Sequence, residues 1–440
     1  MGLTRSLSVG ASSLKANQQR LDIISNNLSN LNTIGYKSNR ANFEEQFNQI
    51  YRYGKNPDVS SSVGFGGINP MQFGLGVKLG SISQDMSQGV LETTNRPLDM
   101  AIQGDGFFIF NFNGQEKYSR AGNISRDRDG FLIDTGTGAY LQGYNVQVDA
   151  NGLIVKNANG INNLTGTKQN LRISDDIISP PKQTQNISVT GNLNSGNTEG
   201  TTKTTSITIF DNIGGSHDLK LTFSKTANPN EYSISGEIDG NQLTLATTQL
   251  TFNNDGTLNT PLSLQITAAN LNTAIGNNVF DATTPKDINV VLADPNKLTS
   301  GITGFAAGNT LSFIKQDGYK SGNLIDLSVD SKGQIWGAFT NGISERLGQV
   351  LLAKFTNNEG LIRNGNNFFS SSPNSGLPNI GTAGDIFPST QIAGSSLEQS
   401  NVDMTVEFTN LISTQRAYEA AARTITVSDQ ILGETTILKR

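Results

Sequence analysis

Residues 3–31 read LTRSLSVGASSLKANQQRLDIISNNLSNL. Leu7, Leu14, Leu21 and Leu28 recur every seven residues, and a second line runs through Gly10, Asn17, Ile24 and Leu31. A seven-residue apolar repeat keeps one narrow stripe facing a partner helix, the pattern of coiled coils and bundle seams. The other end of the chain repeats it: Met404, Leu411, Tyr418, Ile425 and Leu432 form one line, and Phe408, Gln415, Ala422 and Asp429 the other. The spacing predicts one helix over residues 4–31 and a second starting at Ser400 or Asn401, with Ser400 and Asp403 as a variant capping box. Small and polar interruptions in both seams suit helices that repack, and four leucines do not offset the entropy of ordering so long a segment. Such helices pack against each other within one chain, or order when many copies meet.

The body between them has a different texture. Of 440 residues 47 are glycine, 16% are charged, and there is one histidine, one tryptophan and no cysteine. These are the residues of turns and short strands, which predicts a mainly β chain with terminal α-helices. Residues 1–34 and 400–440 form the helical, coiled-coil-like inner domain, and 35–81 an extended connector. Hairpin signals at Asn113-Gly114, Asp129-Gly130, Asp317-Gly318 and Asn341-Gly342 assign 82–145 and 310–390 to one discontinuous β domain. Residues 146–309 form an inserted, outer β-sandwich or barrel, and 391–399 a linker.

Chemistry is sparse. Without cysteine there are no disulfides, thiolate metal sites or cysteine nucleophiles, and one histidine cannot supply a zinc site. His217 sits in the turn-like run Asp211-Asn-Ile-Gly-Gly-Ser-His217-Asp218. Asp127, Asp129 and Gly130 resemble the opening of a calcium loop but lack its later ligands, so a hairpin turn is expected there. Gly104-Asp105-Gly106 has no following helix and reads as a turn before a strand at 107–110. No catalytic, metal or cofactor residues are assigned. A net charge of -5 with scattered Lys and Arg offers no footprint for nucleic acid. No run of eighteen apolar residues exists to insert in a membrane, and residues 1–30 lack the h-region of a cleaved signal peptide.

Residues 17–37, NQQRLDIISNNLSNLNTIGYK, with Asn26, Asn27, Asn32, Gly35 and Tyr36, resemble the N-terminal signature of the bacterial flagellar axial proteins, the family of rod, hook and hook-associated subunits. The likeness continues through Gly104, Gly106 and Phe107, through YSRAGN at 118–123 and LQGY at 141–144, to LEQSNVD at 397–403 with Asn401 and Asp403, and to Gln415 and Arg416. Within the family the large insertion resembles hook subunits; a distal rod subunit, or a secreted adhesin-like β protein, is the alternative. The resemblance implies a non-enzymatic subunit of a curved tubular homo-polymer, a universal joint transmitting motor torque to the filament. It would lie outside the cell body, between the flagellar rod below and hook-associated junction proteins above. A hook cap would assist assembly, and the flagellar type III machinery would export the chain without a cleaved signal. The seam residues of the terminal helices would form the polymer interface.

Overall fold

The computed structural model describes residues 2–57, 66–150, 152–157, 160–281, 286–294 and 301–437. Three α-helices form among the described residues: α1 (Gly2–Ser29), the short α2 (Ala268–Ile275) and α3 (Met404–Ile437). Thr267 caps α2 through its side chain, and Gly276 ends it in the left-handed region, the conformation that suits glycine at this position. The N-cap of α3 is Asp403, whose Oδ1 accepts from the N–H groups of Thr405 and Val406 at 2.8 and 3.1 Å. This corrects the Ser400 box: a carboxylate placed at the helix start itself satisfies the orphan donors.

Helices α1 and α3 pair antiparallel. Near one end Ser6 Oγ lies 3.1 Å from Ser428 Oγ, and towards the other Asn27 Nδ2 donates to Glu407 at 3.1 Å. On α1 the expected Gly10 and Ile24 are buried, but on α3 the residues that close the seam differ from the expected ones. On α3 the buried line is Thr414, Ala421 and Ser428, and on α1 Gly10 packs so tightly that an added Cβ would fall 2.9 Å from Ile425 Cγ1. Leu7, Leu14, Leu21 and Leu28 are only half-buried. Met404, Phe408 and Tyr418 point outwards, Phe408 being 45% exposed. Small side chains let two backbones approach closely, and the large ones are displaced to the flanks.

The expected connector is instead two antiparallel ribbons: β1 (Asn39–Glu45) pairs with β4 (Val77–Gln84), and β2 (Asn48–Arg52) with β3 (Met71–Gly74). Residues 58–65 of the expected connector lie outside the described residues. The ribbons pack on α1, where Gly76 meets Ser12 and Val9.

The inner β body is a fourteen-stranded sheet among the described residues. Strand Tyr140–Asn145 pairs with both Phe107–Phe112 and Ser344–Val350, so chain segments two hundred residues apart share a core. Its boundaries correct the expected ones. Val146, Ile154, Leu171, Ile173 and Ile177 are buried in the same cluster as Met100, Phe108 and Leu347, which puts residues 146–180 in the inner body. Most of that stretch joins through isolated bridges such as Val146 with Leu164 and Val148 with Ile154, which leave no alternating period to read. Residues 391–399 are no linker: Gln391–Gly394 pairs with Met100–Gln103, and Ser396–Glu398 with Leu91–Thr93.

The outer lobe is a β-sandwich. Among the described residues a six-stranded antiparallel sheet and a five-stranded mixed sheet close on one core that includes Ile187, Ile209, Phe223, Tyr232, Leu264, Val290 and Leu311. Strand Ser312–Gln316 pairs with Asn186–Asn192 and so belongs to this lobe, not to the inner body. A two-chain neck joins the lobes, with Lys182 bridged to Tyr319. There Asp317 Oδ1 accepts from the backbone N–H of Gln185 and Asn186 at 2.8 and 2.9 Å, and Lys182 pairs with Oδ2 at 3.2 Å. Burial acts to raise the Asp317 pKa, but the bonds from Asn186, Gln185 and Lys182 outweigh it and hold the carboxyl below its ordinary value.

Candidate functional site

The terminal motifs meet where the helices join the inner body. The chain leaves α1 through Gly35, Tyr36 and Lys37 and re-enters α3 through Glu398, Asn401 and Asp403, and these two passages are bonded to each other. Gly35 N–H donates to the Glu398 carbonyl at 2.8 Å, and Ser38 N–H to Asn401 Oδ1 at 2.8 Å. Asn401 Nδ2 in turn donates to the Asp85 carbonyl at 2.8 Å. Gly35 has φ +68, and an added Cβ would lie 2.7 Å from the Ala121 nitrogen. The position needs glycine both for its left-handed backbone and for the approach of the inner body.

Asn27 closes the end of α1. Its Oδ1 accepts from Asn39 N–H at 2.9 Å and its Nδ2 donates to the Asn39 carbonyl at 2.8 Å, so a buried amide replaces missing strand pairing. The Tyr36 hydroxyl donates to Asn26 Oδ1 at 2.8 Å, and the Arg363 guanidinium lies 4.7 Å from the centre of the Tyr36 ring. Arg363 also donates to the Lys37 carbonyl.

At the centre is a buried ionic node. Lys37 Nζ lies 2.7 Å from Glu398 Oε1, their side chains being 1% and 0% exposed, and Arg120 reaches the other oxygen at 3.5 Å. Gly89 N–H donates to Glu398 at 2.9 Å, and Lys37 donates to the Ser87 carbonyl at 2.6 Å. Burial lowers the Lys37 pKa, with attraction to Glu398 opposing it and repulsion from Arg120 adding to it. Arg120 is lowered by burial too. Two cations on one anion in a dry site make the whole node dependent on Glu398.

Other motif residues lie elsewhere. Gly104 and Gly106 have φ +105 and +137 and form the turn before Phe107, which packs edge-on to Phe355 and Phe369 at 6.0 and 5.7 Å. Asn32 is exposed and outside the node, as are Gln415 and Arg416; Arg416 pairs with Glu419 at 3.3 Å. Ile24 is buried, while Leu31, Leu411, Ile425 and Leu432 are half-buried. Lys37, Arg120 and Glu398 were not singled out from the sequence, although each falls within a quoted motif; a charge embedded in such a run was the available signal. His217 lies between Asp239 and Asp211 at 2.6 and 3.3 Å, tying two turns of the outer lobe. Asp127 Oδ1 accepts from Asp129 and Phe131 N–H at 3.0 and 2.7 Å, as a turn residue does. Among the described residues no group of three His, Asp or Glu side chains is placed to hold a metal.

Family models match four stretches: the flagella basal body rod protein at 7–37, the flagellar hook protein FlgE/F/G D1 domain at 101–192, the flagellar basal body protein FlaE D2 domain at 181–319, and the flagellar basal body rod FlgEFG protein C-terminal at 393–438. The D2 match agrees with the outer lobe bounded by the neck. The flagellar hook protein FlgE of Treponema pallidum is 32% identical, with both chains covered completely. That of Borreliella burgdorferi is 32% identical over 99% of this chain and 100% of its own. The Escherichia coli hook protein is also 32% identical, covering 97% of this chain and 98% of its own. Full-length likeness of this degree, spanning helices, junction and both β lobes, places the chain in the flagellar hook protein FlgE family.

Proposed function

We propose that this hook subunit polymerises through its terminal helices and transmits torque from them to its β body through the buried node. The observation that carries the reading is the composition of the α1–α3 seam. Because Thr414, Ala421 and Ser428 close it, the large residues Met404, Phe408, Ile412 and Tyr418 remain 39–57% exposed. A row of exposed apolar side chains on a helix marks an interaction surface. Phe47, Tyr51 and Tyr53 on the ribbon segment, 75–87% exposed, add a second apolar surface beside it.

In this reading the subunit is a structural, non-enzymatic part of a curved tube. The terminal helices line the innermost shell, the inner body forms the next and the outer sandwich the outermost. Wet polar contacts between outer lobes slide as each subunit passes from the short to the long side of the bend, and the braced junction resists twist. The assembly sits outside the cell body between the rod and the junction proteins, is built beneath a hook cap, and receives its subunits through the flagellar type III apparatus. Electron microscopy and sedimentation of the full chain and of Phe408→Ser/Tyr418→Ser test it. The native chain forms tubes, and the variant remains monomeric with an unchanged helical circular dichroism signal. Tubes from the variant at native concentration overturn the reading.

A further inference from the structure

Residues 390–401 run as one strap over the inner body. The Thr390 hydroxyl anchors its start by donating to the Asp105 carbonyl at 2.8 Å, and Asn401 anchors its end on Ser38 and Asp85. Between them Gln391–Gly394 pairs with Met100–Gln103, and Ser396–Glu398 with Leu91–Thr93. Among the described residues neither receiving strand has another strand partner, so both lose their whole ladder when the strap is away. Ile392 N–H donates to the Ser331 carbonyl at 2.9 Å, and Thr94 and Gln399 N–H donate to the Ser395 and Val90 carbonyls at 2.8 Å each. The seat is tight: a Cβ on Gly89 would lie 2.1 Å from the Gln399 carbonyl oxygen, and one on Gly394 2.5 Å from that of Val329. Midway, Ser395 holds φ +53, a left-handed backbone costly for any residue with a side chain. The strap therefore carries strain that lifting it relieves.

We infer that residues 390–401 open and close as one unit, separately from the core beneath, and that their seating is the last step in closing the inner body. Two features make the opening all-or-none. Lifting any part of 396–398 takes Glu398 from Lys37 and Arg120 together, and the strap's backbone bonds reach stretches that do not otherwise hold one another, at 35–38, 89–94 and 331. Seating also fixes the start of α3, which begins at Met404, beside the end of α1. All of these stretches precede the strap in the chain. Any process that presents the chain from its N-terminus, synthesis included, delivers the strap after everything it covers, and the inner body stays unlatched until residues beyond 390 have emerged. For an exported subunit, a consequence that rests on the proposed route of export, the chain latches only when nearly all of it is outside.

Native-state hydrogen exchange of the full chain at rising, subdenaturing guanidinium tests the strap. The amides of Gly35, Gly89, Thr94, Ile392 and Gln399 exchange through one shared opening with a common denaturant dependence. They are about tenfold or more less protected than Leu132 and Leu171, which bond within the inner core. Unrelated protection among the five, or the same opening as Leu132 and Leu171, overturns the inference. Gly89→Ala is the selective variant, because Gly89 is outside the left-handed region and the nearest atoms to an added Cβ all belong to the strap. The five amides lose about tenfold or more protection with Leu132 and Leu171 unchanged; an unchanged profile overturns the inference. In pulse-labelled refolding of the native chain the five gain protection after Leu132 and Leu171, and protection gained with or before them refutes closure as the last step. None of these results bears on tube formation, so the strap and the assembly reading fail separately.

Discussion

Replacing Glu398 by glutamine removes one charge and almost no volume, and it leaves the Lys37 ammonium and the Arg120 guanidinium without the carboxylate that both contact, with only the longer-range attraction of Asp85 and Asp105 remaining. Both side chains are buried, at 1% and 3% exposure, so solvent does not screen them. Removing one partner of a buried pair costs about 3–5 kcal/mol. For a cooperative unit of the inner body's size that lowers the melting temperature by about 6–20 °C. The only tryptophan of the chain, Trp336, lies on strand Gln334–Phe339 of the inner sheet, so its fluorescence during chemical denaturation reports this unit. The pH dependence adds a sign. With its folded pKa lowered by burial, Lys37 binds fewer protons folded than unfolded just below its ordinary value of 10.5, so its contribution to stability rises with pH through that window. In the variant the attraction that most opposes the burial is gone and only the weaker one from Asp85 remains, so the window extends lower, and the loss is largest near neutrality and shrinks as pH rises towards 10. A variant within about 0.5 kcal/mol of the native chain at pH 7, the size of an ordinary surface change, refutes the node as a structural centre.

Gly35→Ala forces a side chain into a left-handed backbone position against Ala121 and destabilises the inner body by about 2 kcal/mol or more, read by thermal denaturation; a neutral result contradicts the close approach. Asp317 stabilises the neck above its ordinary pKa of 3.8 and loses that contribution as pH falls through its lowered folded value, so the protection factors of the Gln185 and Asn186 amides, relative to the free-chain exchange rate at each pH, fall on acidification. Asp317→Asn exchanges faster at pH 7 by about tenfold to a hundredfold, for a charged hydrogen bond worth about 1.5–3 kcal/mol, and loses the acid dependence. Equal exchange rates in both chains at pH 7 remove Asp317 from the neck clamp.

The terminal helices were legible because their repeat is long and local, and the sandwich because alternating runs such as 205–210 and 219–224 carry a clear period of two. The stripe that pairs α1 with α3 was not. Periodicity found Gly10 and Ile24 on α1 but draws the eye to large residues on α3, whereas the close seam there is made by Thr414, Ala421 and Ser428, whose small size leaves no hydrophobic signal. Residues 146–180 were misplaced because their buried side chains hang on single bridges with no regular strand period. The junction was half legible: Asn27, Gly35, Tyr36, Asn401 and Asp403 stood out by motif. That Lys37, Arg120 and Glu398 form one node depends on contacts across 278 and 361 residues, which no local pattern encodes.

The most direct measurement is an electron-microscopy reconstruction of tubes assembled from the full-length chain. The account predicts curved tubes with α1 and α3 at the smallest radius, the large flank of α3 covered by a neighbouring copy, and the outer sandwich at the largest radius. Tubes in which Phe408 and Ile412 face solvent, or in which the helices lie outside the β body, contradict it.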